Sequence, residues 1–240
     1  TGTMPESYED QWNIIGKIGP VLYEKNSYQL RQDDYVAEAV VQVIKIDYKD
    51  KPQAFPGDRY DPGAKFRREY DFLAKNTFRN SIISKLSGKF DNNCLIMVDY
   101  IEHGEQLFGA LKASCPDKQV FFIRGDVAVE ERDRVKKLME NTSNVVCVAI
   151  SKIFSTGINI KNLHYIVFAG GGKAKVKIVQ SIGRGLRLHK DKKGVIIIDI
   201  ADMLYYSHKH YKKRLNLYKS EKIKYGIKIM YKRQYLIQRW

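Results

Sequence analysis

Six short runs of the chain are almost purely apolar: Ala39–Ile46, Cys94–Val98, Val120–Ile123, Val145–Ile150, Tyr165–Ala169 and Val195–Ile200. A strand with one face in water alternates apolar and polar residues. These runs do not alternate, and they are rich in Val, Ile and Phe, so they predict strands buried on both faces, the pattern of a parallel sheet. Helical patterns lie between them at Glu102–Ala113, Glu130–Glu140 and Lys175–Leu188. Strand and helix in alternation build right-handed crossovers, so the expected fold is an α/β parallel sheet flanked by helices. Residues 63–88 predict one long amphipathic helix ahead of the first central strand. Residues 51–63, with Pro52, Pro56, Gly57, Pro62 and Gly63, predict a loop, and residues 6–18 a helix stopped by Gly19-Pro20.

On such sheets ligands bind outside the carboxyl ends of the strands. The loops after Val98, Ile123, Ile150 and Ala169 are therefore where chemistry is expected. Asp99 and Asp199 each end an apolar run. A general-acid role is open to them, but capping the next helix is the preferred assignment.

The chain has 240 residues, enough for one full core plus an extension, and a formal net charge of +15. A chain this basic is expected to meet a polyanion. No apolar run approaches the ~20 residues that span a bilayer, and the start lacks a signal-peptide pattern, which argues against secretion. It opens on Thr1-Gly2-Thr3-Met4-Pro5 and is read as a piece of a longer protein. Cys94, Cys115 and Cys147 are odd in number and scattered, which fits buried thiols better than disulfides or zinc. The five histidines show no metal-ligand spacing, and no metal site is expected.

The charge is concentrated at the end. Ala201 to Trp240 holds eleven Lys or Arg, two acids and seven tyrosines. Basic residues neutralise phosphates and rings stack on bases, so the mixture suits nucleic acid, with Lys212, Lys213 and Arg214 as candidate phosphate contacts. A helical cap packed on the domain fits the same residues equally well.

Three segments carry candidate chemistry. In Gln180-Ser181-Ile182-Gly183-Arg184-Gly185-Leu186-Arg187, helical spacing puts Gln180, Arg184 and Arg187 on one face. Two guanidinium forks and an amide suit a polyphosphate. In Ser151–Ile160, directly after an apolar run, Ser151 can serve a phosphate, Gly157 permits close backbone approach and Asn159 can bond a sugar hydroxyl. Gly170-Gly171-Gly172-Lys173 resembles a phosphate loop but fails, because Ala174 stands where Ser or Thr is needed. Without a Walker lysine motif or a DExx box, the chain can touch ATP only from one side.

These segments in order, "AISKIFSTGINIKNLHYIVFA" followed by "QSIGRGLRLHKDKKGVIIIDIAD", resemble motifs V and VI of the superfamily 2 helicases. "TGT" at the start is similar to motif III, and "CLIMVDYIEHGEQL" to the motif IV strand and helix. The likeness covers about two thirds of the chain, from Val40 to about Ala201. It implies that residues 1–35 end a first RecA-like domain and its linker, that 36–203 form the second RecA-like domain, and that 204–240 form a basic helical extension. By the same resemblance, Arg184 and Arg187 reach the γ-phosphate as arginine fingers and Gln180 opens their motif. Gly157 and Asn159 lie near the nucleotide, although the family more often has Asp at the position of Asn159. Ser151, Lys152, Arg124 and Gly125 contact the nucleic-acid backbone, and Thr1 and Thr3 couple the two activities.

The activity implied is that of an ATP-dependent DNA helicase or translocase acting on branched DNA in recombination and replication. The N-terminal RecA-like domain of the same protein would be its partner and would hold Mg²⁺. The cytoplasm is the expected compartment, that of the host cell if the chain is phage-encoded. Alternatives are a basic nucleic-acid-binding module without ATP chemistry, an RNA helicase, or a restriction-enzyme motor.

Overall fold

The computed structural model describes residues 7–23, 28–29, 33, 35, 38–48, 61–154, 160–170 and 194–231. Seven strands form one sheet in the order β3-β4-β2-β5-β6-β1-β7: β1 Glu38–Asp47, β2 Cys94–Val98, β3 Gln119–Ile123, β4 Val145–Ile150, β5 Tyr165–Phe168, β6 Gly194–Asp202 and β7 Lys224–Tyr231. Every pairing is parallel. All carboxyl ends therefore emerge along one edge, as the unalternating runs predicted. The central strands β2 and β4 are buried at every position.

Helices cover both faces. On one, α5 (Val129–Asn141) and α7 (Tyr205–Ser220) place Val135, Met139, Tyr211 and Tyr218 against Leu95, Cys147, Phe168 and Ile197. On the other, α2 (Pro62–Lys75), α3 (Thr77–Gly88) and α4 (Ile101–Ser114) place Leu73, Ile82, Ile83, Leu107 and Leu111 against Ile96, Val146, Val148 and Ile198. Each fully buried side chain of this size contributes about 1.5–3 kcal/mol, so the two apolar layers dominate the stability. Gly104 lets α4 sit close to β3, because a Cβ there would lie 2.3 Å from Phe122 Cζ. All three cysteines are buried and free.

Two expectations change. The single helix expected over residues 63–88 is two helices. Asn76 closes α2, and its side chain accepts from the Arg79 backbone N–H at 2.9 Å to open α3. An Asn whose side chain caps the next helix ends the previous one, because its own backbone is extended. The basic extension expected to be helical over 204–240 is, among its described residues, helix only through Ser220. Lys222 takes a left-handed conformation (φ 49°), and β7 then pairs along β1 from Val40↔Lys224 to Asp47↔Tyr231. Part of the basic tail is thus the edge strand of the sheet itself.

Near the N-terminus, α1 (Tyr8–Ile18) is capped by Ser7, whose hydroxyl accepts from the Asp10 N–H, and it ends at Gly19 with φ 93°. At the amino edge of the sheet, fully buried Asn93 donates to the carbonyls of Met139, Thr142 and Asn162 and accepts from the Val145 N–H. That one amide fixes the entries to β2, β4 and β5.

Candidate functional site

The carboxyl edge of the sheet carries a buried polar knot that no motif announces. Arg79, on α3, is fully buried. Its Nε lies 2.9 Å from Asp202 Oδ1 and its Nη2 3.0 Å from Oδ2. Nη2 also donates to the Ala169 carbonyl, and Nη1 lies 3.2 Å from His103 Nε2. The Tyr48 hydroxyl donates to Asp202 Oδ1 at 2.5 Å. One guanidinium therefore ties together the ends of β1, β5 and β6. Burial alone would lower its pKa, but the carboxylate of Asp202 and neighbouring phenols hold it above the ordinary arginine value. Burial, reinforced by Asp202, pushes the Tyr48 phenol well up. The chain leaves this knot at Ala169-Gly170 and enters the segment that carries Gln180, Arg184 and Arg187. A Cβ at Gly170 would meet Asp99 Oδ2 at 2.4 Å, so the exit passes directly over a carboxylate.

A second buried pair lies behind it. Arg214 Nη2 is 2.8 Å from Asp199 Oδ1, its Nε contacts both carboxylate oxygens, and the Tyr218 hydroxyl donates to Oδ2 at 2.7 Å. This corrects two expectations. Arg214 does not face phosphate, because it is 2% exposed and engaged by Asp199. Asp199 caps no helix, because β6 continues through Asp202 and the carboxylate is already bound. Asp99 caps none either: the N-cap of α4 is Tyr100, with no side-chain capping bond.

The remaining expected contacts divide. Ser151 opens α6 (Ser151–Phe154), but its hydroxyl points inward and donates to the Val98 carbonyl at 2.9 Å. It is 2% exposed, so the expected phosphate contact through that hydroxyl is not what the side chain does. Lys152, next to it, is exposed. Arg124 follows β3, with Nη1 2.9 Å from Glu105 Oε1 and Nε 2.9 Å from Asp126 Oδ1, so two carboxylates already hold it. The Gly125 carbonyl accepts from Arg132 Nη2 at 2.7 Å, which stiffens the same loop. Lys152, Arg124 and Gly125 share the carboxyl edge at the adjacent strands β3 and β4. Lys212 and Lys213 are exposed on α7, over one face of the sheet. Thr1, Thr3, Gly157, Asn159, Gln180, Arg184 and Arg187 lie outside the described residues. Their donor set, two guanidiniums with an amide, matches phosphate oxygens and contains no carboxylate. Among the described residues no group of three His, Cys, Asp or Glu could hold a metal. No helix among them is long and apolar enough to cross a membrane.

A cavity of about 760 Å³ among the described residues lies away from this polar knot. It is lined by Leu86, Gly88, Cys115, Pro116 and Asn144, from the segments that lead into the central strands, and by Met230 of β7. The strand topology, and not the size of the hollow, makes the carboxyl edge the candidate site.

Residues 77–189 match the family described as the helicase conserved C-terminal domain. The chain carries a helicase C-terminal domain. Over 247 residues it is 30% identical to the ATP-dependent DNA helicase uvsW of Enterobacteria phage T4, covering 95% of this chain and 48% of that one. It is 24% identical to putative helicase 22 of a Sulfolobus islandicus filamentous virus over 195 residues, covering 78% of this chain and 34% of the relative. The chain thus spans about half or less of the length of these curated relatives. The crystal structure of T4 UvsW superposes with a TM-score of 0.64, at 30% identity, over 80% of this chain and 42% of that one. The sheet and its flanking helices are the RecA-like fold of helicase C-terminal domains.

Proposed function

We propose that this chain is the C-terminal portion of an ATP-dependent DNA helicase or translocase that remodels branched DNA in recombination and replication. The observation that carries the reading is the similarity to the T4 DNA helicase along 95% of the chain. The Gln180/Arg184/Arg187 spacing adds chemistry, because DNA binding alone does not require two arginine forks on one helix face.

In this reading the ATP site is split. A separate RecA-like domain holds the nucleotide and Mg²⁺, and this chain supplies Arg184 and Arg187 across the cleft. ATP binding would close the cleft, and hydrolysis, which passes the terminal phosphoryl group to water, would open it. The forks neutralise charge on its terminal phosphate, a contribution of ~10³–10⁵-fold in phosphoryl transfer. Gln180 orients the arginine face, and Gly157 and Asn159 approach the nucleoside. Lys152, Lys212 and Lys213 bind backbone phosphates. The Arg79–Asp202 knot fixes the strand ends from which the arginine segment departs.

The test has two arms. Purified residues 1–240 should show no DNA-stimulated ATP turnover with Mg²⁺, because no Walker lysine is present; robust turnover overturns the split site. In a two-domain protein containing this chain, Arg184→Ala or Arg187→Ala should reduce turnover by about 10³-fold, with DNA affinity in the absence of nucleotide little changed. Arg→Lys should not rescue, because a point charge lacks the planar fork. Normal turnover with a lowered melting temperature would make the pair structural.

A further inference from the structure

An unbroken chain of aromatic contacts runs from the start of α7 to the start of α4. Tyr205 meets Tyr206 (centroids 5.0 Å), Tyr206 meets Phe66 (5.5 Å), Phe66 meets Tyr70 (6.4 Å), and Tyr70 meets Tyr100 (4.0 Å). Both ends reach the surface, Tyr205 at 53% and Tyr100 at 47% exposure. Tyr205 follows β6 and Tyr100 follows β2, so the ridge lies along the carboxyl edge.

The Tyr205 end is cationic. Lys65 Nζ sits 4.1 Å from the Tyr205 ring centroid and Lys209 Nζ 4.0 Å, and Lys209 also donates to the Tyr205 hydroxyl at 2.8 Å. Two ammonium groups are gathered on one ring, yet among the described residues neither has a carboxylate partner. The nearby acid is already committed: Glu69 accepts from the N–H groups of Tyr206 and Ser207 and from the Ser207 hydroxyl. Beyond Tyr205 the exposed face of α7 continues through Lys212, Lys213 and Lys219, and the helix holds no acid at all. Two like charges held together without a counterion make a place for an anion. A tyrosine hydroxyl between them adds a donor for phosphate oxygen.

We infer that Lys65, Tyr205 and Lys209 form a phosphate clamp for single-stranded DNA, which runs from there toward Tyr100, where a base stacks on the exposed ring that buried Tyr70 supports from beneath. The inference rests on the proposed DNA function and names where the strand lies. Unpaired bases favour the ridge over a duplex, because only they expose a π-face to a ring. Lys65 belongs to none of the segments that suggested the function, whereas Tyr100 lies in the stretch similar to motif IV and Tyr205 and Lys209 in the basic tail.

The test is fluorescence anisotropy of the 240-residue chain with a labelled oligothymidylate of about twelve nucleotides, within the usual single-strand site size, across a salt series. Lys65→Ala with Lys209→Ala should weaken binding about tenfold at low salt. It should also reduce the slope of log K against log salt by roughly 1.4, the value for two phosphate contacts on a single strand. Tyr100→Ala should weaken single-strand binding by about tenfold, leave the slope unchanged and leave duplex binding unaffected. The control is Lys136→Ala with Lys137→Ala on α5, which removes the same charge elsewhere and should have less than half the effect. Equal losses from the two lysine pairs overturn the clamp, since net charge alone would then explain the binding. Equal loss of duplex and single strand in Tyr100→Ala overturns the stacking. A wild-type chain that binds no DNA defeats the proposed function together with the clamp, whereas normal binding by all variants defeats the clamp alone.

Discussion

Lys213 and Arg214 are neighbours on α7 and have opposite fates. Lys213 is exposed, while Arg214 is buried on Asp199 beneath the helix. The same contrast separates Arg79, sealed in the polar knot, from Lys209, gathered with Lys65 on a surface ring. Inside, each guanidinium has a carboxylate and hydrogen-bonded neighbours, since a buried charge survives only when paired. Outside, the ammonium groups remain for a polyanion. The count of basic residues therefore overstates the cations open to a partner, whereas the net charge of +15 is untouched, because each buried arginine is cancelled by its own aspartate.

The contrast breaks first, and most severely, at the knot. Arg79→Ala should cost about 3–5 kcal/mol, the range for leaving a buried charge without its partner. A domain of this kind has about 5–15 kcal/mol in all, so the variant should unfold at much lower urea or fail to accumulate folded. A wild-type urea midpoint would mean that Asp202 finds another partner.

A smaller effect sharpens the two faces of α7. Arg214→Ala should lower stability by about 3 kcal/mol and leave the salt slope of DNA binding unchanged. Lys212→Ala with Lys213→Ala should do the reverse: stability within about 0.5 kcal/mol, with a slope smaller by roughly 1.4 on single strands. Parallel urea melts and binding series on both variants decide the matter; a slope change from Arg214→Ala would put that side chain back at the surface.

The smallest effect at neutral pH lies in the buried acids. Burial pushes the Cys94 and Cys147 thiols up to about 12, from an ordinary value of 9.0. The folded chain keeps those protons while the unfolded chain loses them. Their contribution is thus complete below about pH 9 and is lost as pH rises toward 12. Burial raises Tyr48 and Tyr218 in the same direction. Urea midpoints should be flat through neutrality and fall above about pH 9, and neither thiol should react with a soluble disulfide reagent until the chain unfolds. Rapid modification of Cys94 or Cys147 in the native protein would show that the central sheet opens.

Much of the architecture was legible because its causes are local. The unalternating runs from Ala39 to Ile200 announced the strands of the parallel sheet, of which β2 and β4 are buried at every position while β3 is only partly covered and β1 alternates at its start, and Gly19-Pro20 stopped α1 where expected. The break at Asn76 was also written locally, as a capping residue inside a helical pattern, but the continuous apolar periodicity on either side obscured it. β7 carried no such mark. Its lysines at 224 and 228 resemble the basic tail around them, and an edge strand needs little burial to persist.

The sequence alone determined the parallel α/β sheet and the arginine spacing that suits a polyphosphate, and it pointed to the carboxyl edge as the candidate site, because period, composition and spacing act over a few residues. Tertiary structure decided which cations are available. Arg79 and Asp202 lie 123 positions apart, Tyr48 and Asp202 154 apart, and Glu69 reaches Ser207 across 138. Whether a charged side chain faces solvent or a buried carboxylate depends on which distant segments the fold brings beside it, and no local pattern of residues records that choice.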